Sequence, residues 1–422
     1  MCHTEIDSDR PGNKVGVRVS PTPAIYRTGI HACTATDAVQ CLDVIRLGKY
    51  GTAAVIHDDN MVFTAFAGTT VMRSIGGHRL SGSRTGKQSG KYPQSVQIRH
   101  NLFHTEGGDI QFELNYQDDE GDAEKAVNAY NTLKDWGMQL SLGSVTSKPC
   151  EATAAETYSD RIFALTPSAS STGTTEGKDN MFQMCFIDPA QGTLAADKIA
   201  EKKLGTKIAI IWKNDDVYST GIHDKFVEEA KTKGLEVVSD MTFTDSSAND
   251  FSVQLNDAKS KGAELVFLPI YYQPASLILT QAHNMGFQTT FFGVDGMDGI
   301  LTLEGFDTSL AEGLMLMTPF NANSTDEKTA SFVKKYQEQF GETPNQFAAD
   351  AYDCVYAYKQ ALENAGATPD MSAEDLCDKM IEQFTSMTFD GLTGTGATWS
   401  TEGAVTKDPT VAVIKDGKYV NV

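Results

Sequence analysis

The sequence has no apolar run long enough to cross a membrane. A membrane-spanning helix needs about 18 or more consecutive apolar residues, and every apolar run here is shorter. Residues 1–10 carry acidic side chains where a signal peptide has basic ones, and no apolar segment follows them. The residues as written therefore predict neither a membrane span nor an export signal.

Basic residues are scarce. The chain holds 35 Lys+Arg against 56 Asp+Glu, a formal net charge of -21. Phosphate backbones and anionic lipids are bound by basic surfaces, so this balance argues against nucleic acid and anionic lipid as partners. Composition at 40% hydrophobic and 22% charged is typical of a globular protein with a solvated acidic surface.

The charge is unevenly distributed. Residues 1–106 hold 12 basic and 8 acidic residues and six of the eight histidines, whereas the remainder holds 23 basic and 48 acidic residues. Two different compositions therefore meet near Gly107. At 422 residues the chain also exceeds what one hydrophobic core usually supports, so two lobes are expected.

Recognisable catalytic and metal-binding motifs are missing. The seven cysteines are an odd number and form no metal-ligand pairs. His100 and His104 have i, i+4 spacing but lack the glutamate and the helix of a zinc site. There is no Gly-x-Ser-x-Gly elbow, P-loop or Cys-x-x-Cys. We predict no catalytic residue, no metal and no cofactor.

From Gly107 onward, strand-like runs alternate with amphipathic helical stretches, the pattern of parallel sheets covered by helices. Asp122 is the predicted cap of the first helix, and Gly137 its end. The predicted strands are Ile110–Tyr116, Met138–Gly143, Ile162–Pro167 and Met181–Phe186 in a first lobe, then Lys207–Trp212, Leu235–Phe243, Glu264–Ile270, Thr290–Val294 and Glu312–Thr318. Helices are predicted over 326–340, 345–365 and 372–385, and a final hairpin turns at Asp416-Gly417.

These patterns predict an α/β fold of two Rossmann-like lobes. Residues 107–188 with about 320–390 would form the first lobe, and 189–319 with about 391–422 the second. Residues 1–106 show no clear helical or strand period and are treated as a separate segment. This segment is either disordered or an aberrant stretch of sequence.

Ligands of open α/β sheets bind beyond the carboxyl ends of the strands. In Gly143–Pro149, hydroxyl residues precede a helix start whose free N–H groups, with the Ser147 hydroxyl, would receive a carboxylate. In Thr166–Gly173, small residues would let the backbone approach a ligand closely. An ordinary helix cap and a surface loop are the respective alternatives.

The second lobe offers aromatic and acidic residues at the same strand ends. Tyr218, Tyr272 and Asp295 each follow a predicted strand. A carboxylate with aromatic walls suits an ammonium group. Tyrosines that complete a core and an Asp-Gly turn are the alternative explanation.

Taken in order along the chain, several phrases resemble one family: the Leu/Ile/Val-type, or type I, substrate-binding proteins of ABC amino-acid transporters. The resemblance covers about residues 107–422. Its phrases include Gln117-Asp118-Asp119-Glu120, Leu142–Ser147, Leu165–Ser168, Asp188–Gly192, Ile208–Ile211 with Tyr218, Asp250-Phe251-Ser252, Gly293–Gly296, Glu312-Gly313-Leu314 and Ala348–Tyr352.

The resemblance implies a type I periplasmic binding protein fold, with a hinge and a ligand cleft between the lobes. Ser147, Ser168, Ala169 and Ser170 would hold the carboxylate of an amino acid, branched-chain type first. Asp295 would hold its ammonium, with the Ser168 or Ala169 backbone nearby, and Tyr218 and Tyr272 would close over it. The resemblance further implies a monomer without cofactor, docking to ABC permease subunits in the periplasm or as a cell-surface lipoprotein.

Residues 1–106 depart from the family pattern. The first strand and long helix of the family are not matched there, and Cys2 has no apolar segment before it, as a lipoprotein signal requires. The missing strand is central in the first lobe, so its loss would leave two unpaired strand edges. A substitute strand, an unrelated fused segment and a shifted reading frame are the three explanations, and the break in composition favours the last two.

Three further functions remain open at this point. The same fold could serve as an amino-acid or amide sensor, although no output domain is visible. An enzyme on this scaffold would need a nucleophile, metal site or cofactor loop. A defective truncated relic would follow from the N-terminal break.

Overall fold

The computed structural model describes residues 112–407 and 409–422, together with the strands Val62–Phe66, Thr69–Arg73 and Tyr92–Gln97. The predictions made for Cys2, His100 and His104, and most of those for residues 1–106, lie outside these residues.

The described elements follow the alternation predicted from the sequence. The strands are β1 Val62–Phe66, β2 Thr69–Arg73, β3 Tyr92–Gln97, β4 Glu113–Gln117, β5 Leu140–Leu142, β6 Phe163–Thr166, β7 Met181–Gln183, β8 Lys207–Lys213, β9 Glu236–Phe243, β10 Leu265–Leu268, β11 Thr290–Gly293, β12 Met315–Thr318, β13 Thr410–Lys415 and β14 Lys418–Asn421. The helices are α1 Ala123–Trp136, α2 Ser147–Asp160, α3 Thr172–Thr175, α4 Asp188–Glu201, α5 Val217–Thr232, α6 Ser252–Ser260, α7 Tyr272–Asn284, α8 Glu327–Phe340, α9 Gln346–Asn364 and α10 Ala373–Phe384.

Helix ends lie where the capping residues predict them. The Asp122 side chain accepts the Lys125 N–H at the start of α1, and Gly137 ends that helix at φ 102°. Asp326, Asn345 and Ser372 cap α8, α9 and α10 in the same way. The three predicted C-terminal helices are thereby confirmed to within a residue or two at each end.

The first sheet has the strand order β4-β3-β5-β6-β7. Strands β5, β6 and β7 are parallel, whereas β3 runs antiparallel to both of its neighbours. Strand β3 therefore occupies the central position for which the family resemblance offered no strand. A substitute strand, the explanation that composition disfavoured, is the arrangement found.

The second sheet has the order β14-β13-β12-β11-β10-β8-β9. Strands β8 to β12 are parallel, and the final hairpin β13-β14 adds antiparallel to β12. Asp416 and Gly417 both have positive φ, 51° and 68°, which is the turn geometry that an Asp-Gly hairpin favours. The predicted C-terminal hairpin is confirmed.

The first lobe has a core that α9 and α10 close from one side. Phe163, Phe182, Tyr358, Phe384 and Trp399 share this core and are buried. The Trp399 indole N–H also donates to the Gln183 carbonyl at 2.7 Å.

The segment around Trp399 belongs to the first lobe, whereas the sequence predicted that the chain enters the second lobe again at about residue 391. Gly403 accepts the backbone N–H of Gln183 at 2.9 Å, so this segment covers the edge of β7. The physical reason is burial, since Phe389 and Trp399 are apolar and find their partners on the first sheet. After leaving the second sheet at the end of β12, the chain enters it again only at β13.

Three connections therefore link the two sheets within the described residues: before α4, after β12 and before β13. This is the α/β, two-lobed, type I arrangement predicted from the sequence. Because the carboxyl ends of parallel strands carry ligand sites, the loops after β5 and β6 and those after β8, β10 and β11 are where a site is sought.

Candidate functional site

Ser147 joins the two first-lobe loops. It is the first residue of α2 and is fully buried. Its Oγ accepts the backbone N–H of Ser170 at 3.1 Å and that of Ser171 at 3.2 Å. Because the oxygen acts as acceptor in both bonds, the hydroxyl proton remains to be donated to a ligand.

The loop after β6 is fixed by internal hydrogen bonds. The Thr166 hydroxyl donates to the Ser144 carbonyl at 2.7 Å and accepts the Ala169 N–H at 3.0 Å. The Ala169 carbonyl accepts the Gln183 amide at 2.9 Å. Both backbone groups of Ala169 are thus used within the lobe, whereas the buried Ser170 hydroxyl lies beside the Asp188 carboxylate.

Asp295 is the buried carboxylate of the second lobe. It begins a short 3-10 turn after β11 and is 2% exposed. Its Oδ1 accepts the Tyr218 hydroxyl at 2.5 Å and the Gly296 N–H at 2.8 Å. Burial raises the pKa of Asp295 to about 6, although hydrogen bonds from Tyr218 and others oppose the rise.

Among the described residues, no lysine or arginine forms an ion pair with Asp295. A desolvated carboxylate of this kind gains from a cationic partner. The ammonium partner that the sequence predicts for Asp295 stays a prediction.

The tyrosine that faces Tyr218 is Tyr271. The two rings stack with centroids 4.6 Å apart and planes at 21°. Tyr272 points the other way, because it is the first residue of α7 and packs in the core of the second lobe against Gly299. The ring that stacks on Tyr218 is thus that of Tyr271, whereas Tyr272, the predicted ligand wall, lies in the core of the second lobe.

Gln346 ties the start of α9 to the second-lobe site and was not anticipated from the sequence. Its amide Nε2 donates to the Asp295 carbonyl at 2.6 Å, and its backbone N–H donates to Asp298 Oδ2 at 2.7 Å. Gln191 accepts the Asp295 N–H at 3.1 Å. A polar residue at a helix start carries no periodic signal, so only its place directly after the cap Asn345 could have indicated it.

Asp298 is also buried, at 1% exposed, and burial raises its pKa to about 6. This Asp-Gly turn therefore buries its carboxylate and does not expose it to solvent. The side chain is turned inward because it accepts the Gln346 N–H.

The two lobes contact each other beside the candidate site. The Asp188 N–H at the start of α4 donates to the Ser170 carbonyl at 2.9 Å. On the outer side, the Lys148 Nζ donates to the Asp215 carbonyl at 3.4 Å. That the predicted first-lobe and second-lobe residues share one ligand stays a prediction.

The described residues offer little for covalent or metal chemistry. None of their His, Cys, Asp and Glu side chains form a group of three or more that could hold a metal ion. Cys150, Cys185, Cys354 and Cys377 are unpaired and buried, and burial raises their pKa, that of Cys150 to about 12. They are therefore thiols and not nucleophilic thiolates.

Fold and site together define a two-lobed α/β binding protein with a polar cleft between its lobes. The sequence profile of the periplasmic binding protein family matches residues 80–418, starting upstream of the resemblance seen from residue 107. The chain belongs to that family.

The names of similar proteins agree with one another. The chain is 26% identical over 262 residues to the Leu/Ile/Val-binding protein homolog 3 of Brucella melitensis, covering 62% of this chain and 70% of that one. It is 28% identical over 206 residues to the Leu/Ile/Val-binding protein of Escherichia coli, covering 48% of this chain and 55% of that one.

Solved structures agree with the fold. The branched-chain amino acid transporter substrate binding protein LivJ of Streptococcus pneumoniae, in complex with isoleucine, is 25% identical with a TM-score of 0.65, covering 72% of this chain and 86% of that one. The leucine binding protein LivK of Thermotoga maritima is 24% identical with a TM-score of 0.64, covering 72% and 85%. No described helix is both long and apolar enough to span a bilayer.

Proposed function

We propose that this protein is the extracytoplasmic substrate-binding component of an ABC importer, which binds an amino acid of the branched-chain type between its lobes. The observation that carries the proposal is Asp295, a buried carboxylate with an aromatic partner and no described cation on it. An α-ammonium group would supply the missing charge. The names of the relatives, and the isoleucine complex of one structural neighbour, support this ligand class.

In this proposal the carboxylate of the ligand lies at the first lobe. Ser147 donates its hydroxyl proton, and the Ser170 hydroxyl donates a second. The backbone of Ser168 and the start of α2 complete the environment, with Ala169 holding the loop in place. Helix N-termini stabilise anions through unpaired N–H groups and the helix dipole.

The second lobe supplies the ammonium partner and the aromatic wall. Asp295 accepts the ammonium while Tyr218 orients its carboxylate, and Tyr271 takes the position expected of Tyr272. The lobes proposed here are 107–188 with about 320–403, and 189–319 with the C-terminal hairpin.

Binding and release require no covalent step, so we propose that the protein acts as a carrier and not as an enzyme. The lobes would close on the ligand by a hinge motion, and the closed form would dock as a monomer onto permease subunits at the extracytoplasmic face of their membrane. A structural neighbour named as a transporter substrate binding protein supports import over a sensor role.

A thermal-shift screen of the full chain against the amino acids tests the proposal. A ligand present at 100 times its Kd stabilises the folded state by about 2.7 kcal/mol. Leucine, isoleucine or valine should raise the unfolding midpoint, and Asp295→Asn should abolish the rise. Glu228→Gln, on the exposed face of α5 and 67% exposed, is the matched control and should respond as the parent does. No shift with any amino acid would contradict the proposal.

A further inference from the structure

The turn that carries Asp295 is held by hydrogen bonds from several directions. Its carboxylate accepts the Tyr218 hydroxyl and the Gly296 N–H, and its backbone N–H donates to the Gln191 side chain at 3.1 Å. These partners belong to the second lobe, as Asp295 itself does. The Asp295 carbonyl accepts a further bond, from the Nε2 of Gln346 at 2.6 Å. Both backbone groups of Asp295 are therefore held by glutamine side chains.

Gln346 differs from the other partners because it belongs to the first lobe. It is the first residue of α9, a helix whose later turns pack in the first-lobe core. It is 1% exposed, and its bond to Asp295 crosses from one lobe to the other. The position of the proposed ammonium partner thus depends on a residue that the opposite lobe supplies.

The start of α9 is anchored without the Gln346 side chain. The Gln346 backbone N–H donates to Asp298 Oδ2 at 2.7 Å. The Asn345 side chain caps the helix by accepting the Ala348 N–H at 3.2 Å. The Asp295 carbonyl also accepts the Asp298 N–H at 3.0 Å, so loss of the Gln346 amide would not leave this carbonyl unpaired. The amide is therefore not needed to satisfy either the helix start or the turn.

We propose that Gln346 is a positioning residue for ligand binding, which acts through Asp295 by holding its turn where the carboxylate meets the ligand ammonium. This inference rests on the proposed function, since it takes Asp295 as the ammonium partner. A charge-assisted hydrogen bond depends on distance and angle, so a small displacement of the turn weakens it. Because the bond of Gln346 joins the lobes, it also links the placement of the carboxylate to the arrangement of the lobes.

The variant Gln346→Met tests this role. Methionine is unbranched, similar in length and a good helix former, but it cannot donate to the Asp295 carbonyl. Calorimetry on the full chain, well below its unfolding temperature, should show about tenfold weaker leucine binding than in the parent, a loss of about 1.4 kcal/mol. Gln346→Ala removes the same donor with the strongest helix former and should weaken leucine binding at least as much.

Gln360 provides a matched control on the same helix. Its Nε2 donates to the Thr388 carbonyl at 2.9 Å, and both of these residues lie in the first lobe. Gln360→Met therefore removes the same type of bond at a position about 21 Å along α9 from Gln346. The leucine affinity of Gln360→Met should stay within about twofold of the parent, which is below 1 kcal/mol.

A double-mutant cycle separates positioning from a general structural role. In an Asp295→Asn background there is no charge left to orient, so the addition of Gln346→Met should weaken leucine binding by less than about twofold. Such weak binding is measured by the rise of the unfolding midpoint at high leucine concentration. An equal loss in both backgrounds would show that Gln346 does not act through Asp295, and would overturn the proposal.

Amide hydrogen exchange over residues 294–299 measures the order of the turn without a ligand. Exchange there should be faster in Gln346→Met than in the parent, because the turn loses a bond that restrains its opening. Gln360→Met should exchange as the parent does. Faster exchange with an unchanged leucine affinity would make Gln346 a structural residue only, and would also overturn the positioning role.

The outcomes keep this inference apart from the proposed function. Leucine binding by the parent, with an unchanged affinity in Gln346→Met, overturns the positioning role alone. Absence of amino-acid binding by the parent overturns the proposed function and the positioning role with it. A loss in Gln346→Met that disappears in the Asp295→Asn background supports both.

Discussion

Replacing Asp295 by asparagine removes the charge of the proposed ammonium partner and keeps the size of the side chain. The amide oxygen can still accept the Tyr218 hydroxyl and the Gly296 N–H that the carboxylate now accepts at 2.5 and 2.8 Å. Folding should therefore survive. Loss of one member of a buried charge pair costs about 2–5 kcal/mol, which is roughly 30-fold to several thousand-fold in affinity.

Isothermal calorimetry with the best amino acid from the screen measures this loss. Asp298→Asn is the buried comparator, because Asp298 is as desolvated as Asp295 but faces Gln346. Glu228→Gln is the exposed comparator. If Asp295→Asn binds within about threefold of the parent, a loss below 1 kcal/mol, the assignment of the ammonium partner is refuted.

Three other predictions follow from the same contacts. The pKa of Asp295 is raised to about 6 in the free protein, and an ammonium group binds only to the ionised carboxylate. The affinity for the amino acid should therefore be constant above about pH 7 and fall toward tenfold per pH unit below pH 6. A calorimetric affinity that does not change with pH would argue against this role of Asp295. Ser147→Ala should weaken binding by about 1.5–3 kcal/mol and lower the free energy of unfolding, because it removes a hydroxyl donor and leaves two buried N–H groups unpaired. Burial lowers the pKa of His223, but the hydrogen bonds to Asp240 and Asp224 outweigh burial, so that the pKa in the folded protein is raised. Protonated His223 therefore contributes its full stabilisation below pH 6.5, the ordinary pKa of histidine, and this contribution is lost as the pH rises through the pKa of the folded state. His223→Gln should remove that decline in urea midpoints above pH 6.5, and an unchanged decline would assign it to other groups.

Elements with a clear period or cap could be predicted from the sequence. The first helix is bounded by Asp122 and Gly137, whose capping chemistry is local and independent of the rest of the fold. The parallel strands are short apolar runs with buried side chains on both faces, such as Leu265–Leu268. Local physics was sufficient in these segments.

Side-chain direction could not be predicted at the junction between β10 and α7. Tyr271 precedes the helix and Tyr272 begins it, so the two adjacent rings leave the backbone in different directions. Both residues follow the same strand, and the sequence alone does not decide which ring faces Tyr218. The structure favours Tyr271 by its stacking geometry.

Long-range contacts explain the other differences. Strand β3 has no distinctive pattern, and its position depends on the open edges of β4 and β5. The segment around Trp399 packs in the first lobe and forms only isolated β-bridges there. Single bridges give no strand pattern that could be recognised in the sequence. Asp298 has the same Asp-Gly sequence as an exposed turn, and it is buried where α9 and the C-terminal hairpin approach it.

The proposed binding mode requires one amino acid to contact both lobes at once. A crystal structure of the full chain with leucine or isoleucine measures this directly. We expect the ligand carboxylate within about 3 Å of the Ser147 hydroxyl and the ammonium within about 3 Å of Asp295, the distances of charge-assisted hydrogen bonds. An amino acid bound to only one of these residues, or bound outside the cleft, would contradict the account.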